Sequence, residues 1–237
     1  LKSIGVFMKR VILHSDMNAC YASIEAKLNP KLKGIPMAVA GNPENRHGII
    51  LAKSEEAKKM GVETGEPIWQ AQGKCPNLTL VPPHYEEYLK HSKMARALYY
   101  EYTNQVEPFG LDECYLDVTG SLHLFGSGEE IAHEIRNRMK EELGLTVSIG
   151  VSFCKIFAKL GSDMKKPDAV TIITEDNFKE KVWPLGVREM VGIGKATEKK
   201  LNKIGIFSLG DLAHAPAETL KSPVSYTHLT LPTSDLV

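Results

Sequence analysis

Apolar and polar residues repeat with two different periods along the chain, and each period predicts one kind of element. Short apolar runs rich in β-branched residues predict strands, and apolar residues three or four positions apart predict amphipathic helices. The expected strands are residues 11–16, 35–40, 49–52, 114–119, 146–151 and 170–173. The expected helices are residues 19–28, 54–60, 85–102, 131–139 and 152–164. Because strands and helices alternate irregularly, the pattern predicts an α+β sheet with helices on one side.

Three polar residues are expected to begin helices. A side-chain oxygen at a helix N-cap accepts a hydrogen bond from a backbone N–H that has no partner inside the helix. Asn18, Ser54 and Ser152 occupy that place before three of the predicted helices. Gly61 follows the helix that Ser54 begins, and it is expected to end that helix.

The character of the sequence changes near Asp176. Beyond it the strand signals fade, and four glycines occur among short helical pieces, at positions 192, 194, 205 and 210. This part of the chain is a candidate second domain. Residues 223–237 differ again, because they are rich in Ser, Thr and Pro and carry Asp235 as their one charged residue.

Composition narrows the class of protein. The 237 residues are 43% hydrophobic and 24% charged, which argues against global disorder and a coiled coil. Basic and acidic residues number 29 each, so bulk charge does not hold this chain to nucleic acid, although a local basic patch is still allowed. No apolar run approaches the roughly 18 residues of a membrane span. We read no secretion signal, and we expect a cytoplasmic protein without a membrane partner.

Two short segments place carboxylates beside predicted strands. Asp16 ends the first strand, and Asp112 and Glu113 come immediately before another. Carboxylate oxygens are ligands that Mg²⁺ prefers, together with waters and substrate phosphates. The other interpretation is that Asp16 begins a helix and that Asp112 and Glu113 form a solvated turn. Spacing alone leaves both interpretations open.

The amino-acid sequences of three segments resemble the motifs of a known family. Residues 13–25 resemble the opening motif of the Y-family DNA polymerases, the lesion-bypass enzymes, and residues 110–118 resemble their second motif. Residues 146–167 are similar to the third. Order and spacing also match from residue 11 to residue 221, with the DNA polymerase IV branch as the best fit.

The resemblance implies a fold and a division into domains. We expect an α+β protein with a ferredoxin-like palm at residues 1–177, interrupted by a small fingers insertion at about residues 29–84. A helical thumb that contains a helix-hairpin-helix is expected at residues 178–222. The resemblance implies a further little-finger domain in relatives, which we expect to be absent here, and residues 223–237 are left unassigned.

The resemblance also implies roles for individual residues. Asp16, Asp112 and Glu113 would hold two Mg²⁺ ions, with the Met17 carbonyl as a further ligand. Tyr21 stands at the position of the steric gate, an aromatic ring that leaves no room for a ribose 2′-OH.

Three further positions concern the triphosphate. Lys166 matches a lysine that contacts it, and Lys58 stands where many relatives carry an arginine for the same purpose. Glu55 replaces a phosphate-binding tyrosine of many relatives, and an acid there would repel the triphosphate unless Lys53 or Lys58 compensates.

The segment from Met190 to Gly205 resembles a helix-hairpin-helix. Gly192, Gly194 and Lys195 would present backbone N–H groups and a positive charge to a DNA phosphate. Residues 178–222 carry eight basic and five acidic residues, so this region is more basic than the whole chain. The plainer reading of the same residues is an ordinary helical turn.

These features together predict a translesion DNA polymerase. We expect it to add dNTPs to a primer 3′-OH with low fidelity, as a monomer on primer–template DNA. Processivity and activity are expected to be poor without a little finger, and contact with a sliding clamp is doubtful for the same reason. Two alternatives remain: a crippled fragment that only binds primer–template, and a palm-fold nucleotide cyclase.

Overall fold

The computed structural model describes residues 9–41 and 48–220. Its strands are β1 Ile12–Met17, β2 Met37–Ala40, β3 Ile50–Lys53, β4 Thr79–Val81, β5 Val106–Pro108, β6 Glu113–Asp117, β7 Val147–Ser152 and β8 Val170–Ile173. Its helices are α1 Cys20–Leu28, α2 Glu55–Lys59, α3 Ile68–Lys74, α4 Tyr85–Tyr100, α5 Leu122–Phe125, α6 Gly128–Leu143, α7 Lys155–Met164, α8 Phe178–Val182, α9 Lys195–Lys203, α10 Leu209–His214 and α11 Ala217–Leu220. The unassigned tail at 223–237 lies outside the described residues.

The main sheet has five strands in the order β5-β6-β1-β7-β8. Neighbours are antiparallel except β7 and β8, which are parallel. In chain order, β1, α4, β5, β6, α6 and β7 follow the β-α-β-β-α-β order of a ferredoxin-like sheet. The expected α+β fold with a ferredoxin-like core is confirmed.

The expected arrangement of helices on one side of the sheet is wrong, because α7 packs on the opposite face. Alternate residues of a strand point to opposite faces. On one face, Gly128 at the start of α6 lies against the side chains of Leu13 and Val151. On the other, a Cβ at Gly150 would collide with the carbonyl oxygen of Ala158 in α7. The absence of a side chain at Gly150 therefore lets α7 approach the sheet closely.

The core between α6 and the sheet follows the predicted helical stripe. Ile131, Ile135 and Met139 are all fully buried, each one turn from the next. They pack with Leu13 and Leu116 of the central strands in one hydrophobic cluster. This cluster fixes the strands whose ends carry the predicted carboxylates.

One of the three predicted N-caps is correct. The Ser54 hydroxyl accepts a hydrogen bond from Ala57 N–H at 3.3 Å. Gly61 follows α2 with φ +82°, a conformation that glycine adopts at little cost.

The other two predicted caps are wrong, because both side chains belong to the sheet region. Ala19, with φ 43°, precedes α1, while the Asn18 amide donates to the Ser148 hydroxyl at 3.0 Å. Asn18 Oδ1 also accepts from Asp168 N–H at 2.9 Å. Ser152 remains inside β7, and Cys154 occupies the N-cap of α7.

A second, three-stranded sheet of order β3-β2-β4 lies between α1 and α4 in the chain. With α2 and α3 it has its own small hydrophobic cluster, which includes Ala38, Ile50, Ala57 and Ala71. Its last antiparallel pair aligns Ala38 with Lys53. This sheet brings the end of β3 and the start of α2 toward the main sheet's carboxylates.

The C-terminal helices α8 to α10 share a third hydrophobic cluster with α7. Phe157 and Leu160 of α7 pack there with Val182, Leu201 and Leu209. The helices past residue 177 are thus anchored on the face of the sheet that α7 covers. Among residues 9–41 and 48–220, no helix is long and apolar enough to cross a membrane.

Candidate active site

The three predicted carboxylates meet where β1 ends and β6 begins. The antiparallel register sets Asp16 opposite Glu113, and Met17 N–H donates to the Asp112 carbonyl at 3.0 Å. Gly110 has φ +108° in the turn that leads into β6. Since antiparallel neighbours run in opposite directions, the end of β1 and the start of β6 lie at the same end of the sheet, although they are far apart in sequence.

Two lysines, one in the middle of α7 and one in the loop after it, hold Asp16, and the first of them also holds Glu113. The Lys159 ammonium lies 3.2 Å from Asp16 Oδ2 and 3.1 Å from Glu113 Oε2. Lys166 Nζ lies 2.7 Å from the same Asp16 oxygen. Both lysines also approach Asp163, at 3.1 Å and 2.9 Å. Lys166 was predicted as a site residue, whereas Lys159 was only part of the third motif.

The local electrostatics differ among the carboxylates. Burial raises the pKa of Asp112, and the negative charges of Asp16 and Glu113 raise it further. Burial acts in the same direction on Glu113, but His14 and Lys159 outweigh it, so the pKa of Glu113 is lowered. The pKa of Lys159 is raised, because three carboxylates outweigh its burial. Lys159 is therefore a fixed positive charge at neutral pH.

His14 supports the site from within the sheet. Its side chain is fully buried, with Nε2 3.2 Å from Glu113 Oε2. Nδ1 lies 2.9 Å from the Ser162 oxygen, and that hydroxyl donates to the Lys159 carbonyl at 2.7 Å. The alternation of Ile12, His14 and Asp16 on one face of β1 is the sequence signal that could have found His14.

Tyr21 projects from α1 beside the carboxylates. Its ring stacks on that of Tyr88, with centroids 4.1 Å apart and an interplanar angle of 8°. The Tyr88 hydroxyl donates to the buried carboxylate of Glu25, which also lies 2.9 Å from His84 Nδ1. Sequence reasoning missed this support, which depends on α1 and α4 packing side by side.

A single cleft of about 420 Å³ joins most of the predicted site residues. The main sheet and α1 contribute Asp16, Met17, Asp112, Glu113 and Tyr21, and the loop after α7 contributes Lys166. The opposite wall is formed by Lys53, Glu55, Lys58 and Thr64. Lys58 thus lines the same cleft as the carboxylates, from its position on α2.

The predicted DNA-binding residues lie outside this cleft. Gly192 has φ +89°, Gly194 is the N-cap of α9, and Lys195 is the first residue of that helix. Ile193 between the two glycines is buried in the C-terminal cluster. The short turn therefore holds the N-terminal end of α9 at the surface, away from the carboxylates.

The carboxylate oxygens where β1 ends and β6 begins are ligands of the kind that Mg²⁺ prefers. Within the described ranges, no three His, Cys, Asp or Glu side chains form a ready-made metal cage. Mg²⁺ does not need one, since it usually binds one or two carboxylates and completes its shell with waters and substrate phosphates. The Lys159 ammonium between Asp16 and Glu113 marks a position where positive charge is stabilised.

Two family models match the chain. The impB/mucB/samB family model matches residues 15–163, and the model of the IMS family HHH motif matches residues 175–206. The first match covers more than half of the 237 residues and includes every carboxylate of the site. The chain belongs to the impB/mucB/samB family.

Relatives in this family carry a consistent name. The chain is 57% identical over 213 residues to DNA polymerase IV of Acetivibrio thermocellus and 43% identical over 212 residues to DNA polymerase IV 1 of Bacillus subtilis. Each comparison covers 90% of this chain but only 53% and 51% of the relative. The chain therefore spans about half the length of these curated relatives.

Solved structures of the family share the fold. The insertion ternary complex of Dbh DNA polymerase has a TM-score of 0.88 and 29% identity, and DinB from Sulfolobus solfataricus has a TM-score of 0.86 at the same identity. Each comparison covers 95% of this chain and 66% of the solved chain. Another match at TM-score 0.88 is a Y-family DNA polymerase chimera, so the resemblance to the Y family is confirmed.

Proposed function

We propose that the chain carries the catalytic core of a translesion DNA polymerase that extends a primer by template-directed nucleotidyl transfer. The observation that carries this proposal is the convergence of Asp16, Asp112 and Glu113 with Tyr21 in one cleft. Family membership and the names of the relatives support the same reaction.

In the proposed reaction the primer 3′-OH attacks the α-phosphate of a dNTP and pyrophosphate leaves. Asp16, Asp112 and Glu113, with the Met17 carbonyl, would hold two Mg²⁺ ions. Such ions favour deprotonation of the attacking hydroxyl and neutralise charge on the attacking and leaving oxygens. Glu113 is oriented by its contacts with His14 and Lys159. Asp16 is held by its contacts with Lys159 and Lys166.

Selection of the sugar falls to Tyr21. Its ring lies flat against Tyr88, which is itself held through Glu25, so the ring has little freedom to swing away. A ribose 2′-OH would have to displace this packed pair. We infer that the site prefers deoxyribonucleotides for this steric reason.

Contacts with the other parts of the substrate are divided between two regions. Lys58 and Lys166 approach the triphosphate from opposite walls of the cleft. Gly192, Gly194 and Lys195 contact a phosphate of the duplex, which positions DNA without reading its sequence. We also propose the palm, fingers and thumb boundaries given from the sequence, with the chain acting as a monomer in the cytoplasm.

Primer extension tests the proposal. The chain is mixed with an undamaged primer–template, dNTPs and Mg²⁺, beside an Asp112→Asn variant of the same size. We expect the wild-type chain to extend the primer. The variant should extend it at least about a thousandfold more slowly, since a residue that stabilises the transition state contributes several kcal/mol. Circular dichroism of both proteins checks that the fold is retained.

Other outcomes identify the alternatives. Primer–template binding without extension would overturn the proposed activity and favour a fragment that only binds DNA. Cyclic nucleotide formed from an NTP without DNA would favour the nucleotide cyclase. The family match gives that second alternative no support.

A further inference from the structure

The wall of the cleft opposite the carboxylates carries a second cation, Lys53, and the sequence left open whether it or Lys58 compensates the charge of Glu55. Lys53 is the last residue of β3, and Lys58 lies on α2, which starts two positions after Lys53. Both side chains line the cleft with Glu55 and Thr64. Lys53 therefore faces the region where the phosphates of a bound nucleotide would lie.

Lys53 is held in place without being neutralised. Its ammonium donates to the Thr64 hydroxyl at 3.2 Å, and within the part of the chain that the structure describes no carboxylate lies within ion-pair distance of it. Its pKa is lowered, because partial burial and the charge of Lys58 outweigh the charges of Glu63, Glu66 and Glu55. An ammonium that has lost water and has no carboxylate within ion-pair distance gains from a bound anion.

Glu55 acts in the opposite direction on its neighbour. Its carboxylate lies 3.8 Å from Lys58 Nζ, one helical turn away on α2. Part of the positive charge of Lys58 is thus already compensated on this wall. With Glu55 counted, two lysines and one glutamate leave a net charge of one positive unit.

We propose that Lys53 is a phosphate-binding residue for the incoming nucleotide, oriented by Thr64, and that Glu55 weakens nucleotide binding by competing for Lys58. This inference rests on the proposed polymerase function and deepens it. It assigns the anion-binding task of this wall to a residue of β3, in addition to Lys58 on α2.

The first experiment measures nucleotide binding without chemistry. A primer–template with a dideoxy-terminated primer is saturated with protein, and the Kd of the next correct dNTP is measured in Mg²⁺. We expect Lys53→Gln to raise this Kd about tenfold, which corresponds to about 1.4 kcal/mol. Lys53→Arg should retain most of the affinity, because the positive charge remains.

The matched control is Lys59→Gln. Lys59 is an exposed lysine of α2 that does not line the cleft, and its substitution removes the same charge at a nearby position outside the cleft. We expect its Kd to stay within twofold of wild type. An equal rise in Lys53→Gln and Lys59→Gln would overturn the inference, since it would show only long-range charge.

A second variant tests the part assigned to Glu55. Glu55→Gln keeps the size of the side chain and removes its charge, so we expect dNTP to bind about threefold more tightly. Unchanged or weaker binding would overturn the competition with Lys58.

Steady-state extension separates this inference from the proposed function. If wild type extends primers, Lys53→Gln should raise the dNTP KM more than it lowers kcat. Extension with a normal KM in Lys53→Gln would overturn the role of Lys53 and leave the polymerase assignment standing. If wild type neither binds dNTP nor extends primers, the proposed function fails, and the role of Lys53 fails with it.

Discussion

The rings of Tyr21 and Tyr88 lie parallel, with an interplanar angle of 8° and centroids 4.1 Å apart. The stack connects α1 to α4 at the edge of the cleft. The Tyr88 hydroxyl donates a hydrogen bond to the buried carboxylate of Glu25, which fixes the Tyr88 ring. Because the Tyr21 ring stacks on this fixed ring, it forms a rigid wall of the cleft.

Removal of this wall should relax sugar selection. Tyr21→Ala is expected to raise ribonucleotide incorporation by at least about a hundredfold, because a lost steric clash commonly exceeds about 2.7 kcal/mol. The ratio of kcat/KM for dNTP and NTP measures the change. Tyr100→Ala, a change at an exposed tyrosine of α4, should leave the ratio unaltered. A Tyr21 variant with unaltered selection would contradict the steric-gate role.

Lys159 is expected to stabilise the carboxylates when no metal is bound. In Lys159→Met the charges of Asp16 and Glu113 lose their shared partner, so the Tm should fall in metal-free buffer. Millimolar Mg²⁺ should raise the Tm of this variant more than that of wild type, because an ion can replace the missing charge.

Lys155→Met on the same helix is the control for Lys159→Met. Lys155 is 45% exposed and pairs with Glu107 rather than with the site. Its response to Mg²⁺ should match that of wild type. An identical Mg²⁺ response in Lys159→Met would show that its ammonium does not stand where a metal ion would act.

Gly150→Ala tests the close approach of α7. The new Cβ would overlap Ala158 O and lie 2.6 Å from Ser162 N, both backbone atoms that cannot move alone. We expect a loss of about 3 kcal/mol in the free energy of unfolding, measured by urea denaturation. Gly73→Ala in α3 meets no atom within 4 Å and should stabilise the protein by about 0.5–1 kcal/mol. Equal stability of both variants would contradict the packing.

The sequence predicted which residues line the cleft better than it predicted the contacts that support them. Asp16, Asp112 and Tyr21 were proposed because their segments resemble motifs of the Y family, and all three line the cleft. The supporting contacts are made across elements distant in sequence. His14 reaches Glu113 on the neighbouring strand β6, and it reaches Ser162 only because α7 crosses the face of the sheet that Gly150 leaves open.

Capping shows the same limit at a smaller scale. Ser54 caps α2 while its hydroxyl also accepts from Met37 N–H at 3.0 Å and donates to the Ile35 carbonyl at 3.0 Å, because these partners and the start of the helix lie side by side. Asn18 has the same chemistry but finds Ser148 and Asp168 instead. A local rule for a polar side chain cannot foresee partners that tertiary packing supplies.

The ion pair between buried Glu66 and exposed Lys74, beside the second sheet, should make stability depend on pH. Burial favours the neutral form of Glu66, but Lys74 at 2.6 Å and the Glu63 N–H at 2.7 Å outweigh it, so its pKa lies below the usual 4.5. A lowered pKa in the folded state stabilises the protein above the usual pKa, and that contribution is lost as pH falls through the folded value.

Glu66→Gln removes this contribution. We expect the variant to be less stable by about 1–3 kcal/mol at pH 7, because Lys74 and Glu63 N–H lose a charged acceptor. The difference from wild type should shrink below pH 4.5. Urea denaturation at several pH values measures it, and a difference that is constant down to pH 3 would contradict the assignment.

The first residue of α9 should contribute to DNA affinity through charge alone. Lys195 follows the Gly192–Gly194 turn at the N-terminal end of the helix, where backbone N–H groups also favour a phosphate. Each neutralised phosphate of duplex DNA changes the slope of log K against log salt by about 0.9. Lys195→Gln should therefore reduce this slope by about 0.9 and weaken binding equally on unrelated duplex sequences. Lys203→Gln, at the other end of α9, should leave the slope unchanged. Equal slopes for wild type and Lys195→Gln would mean that Lys195 neutralises no phosphate of the duplex.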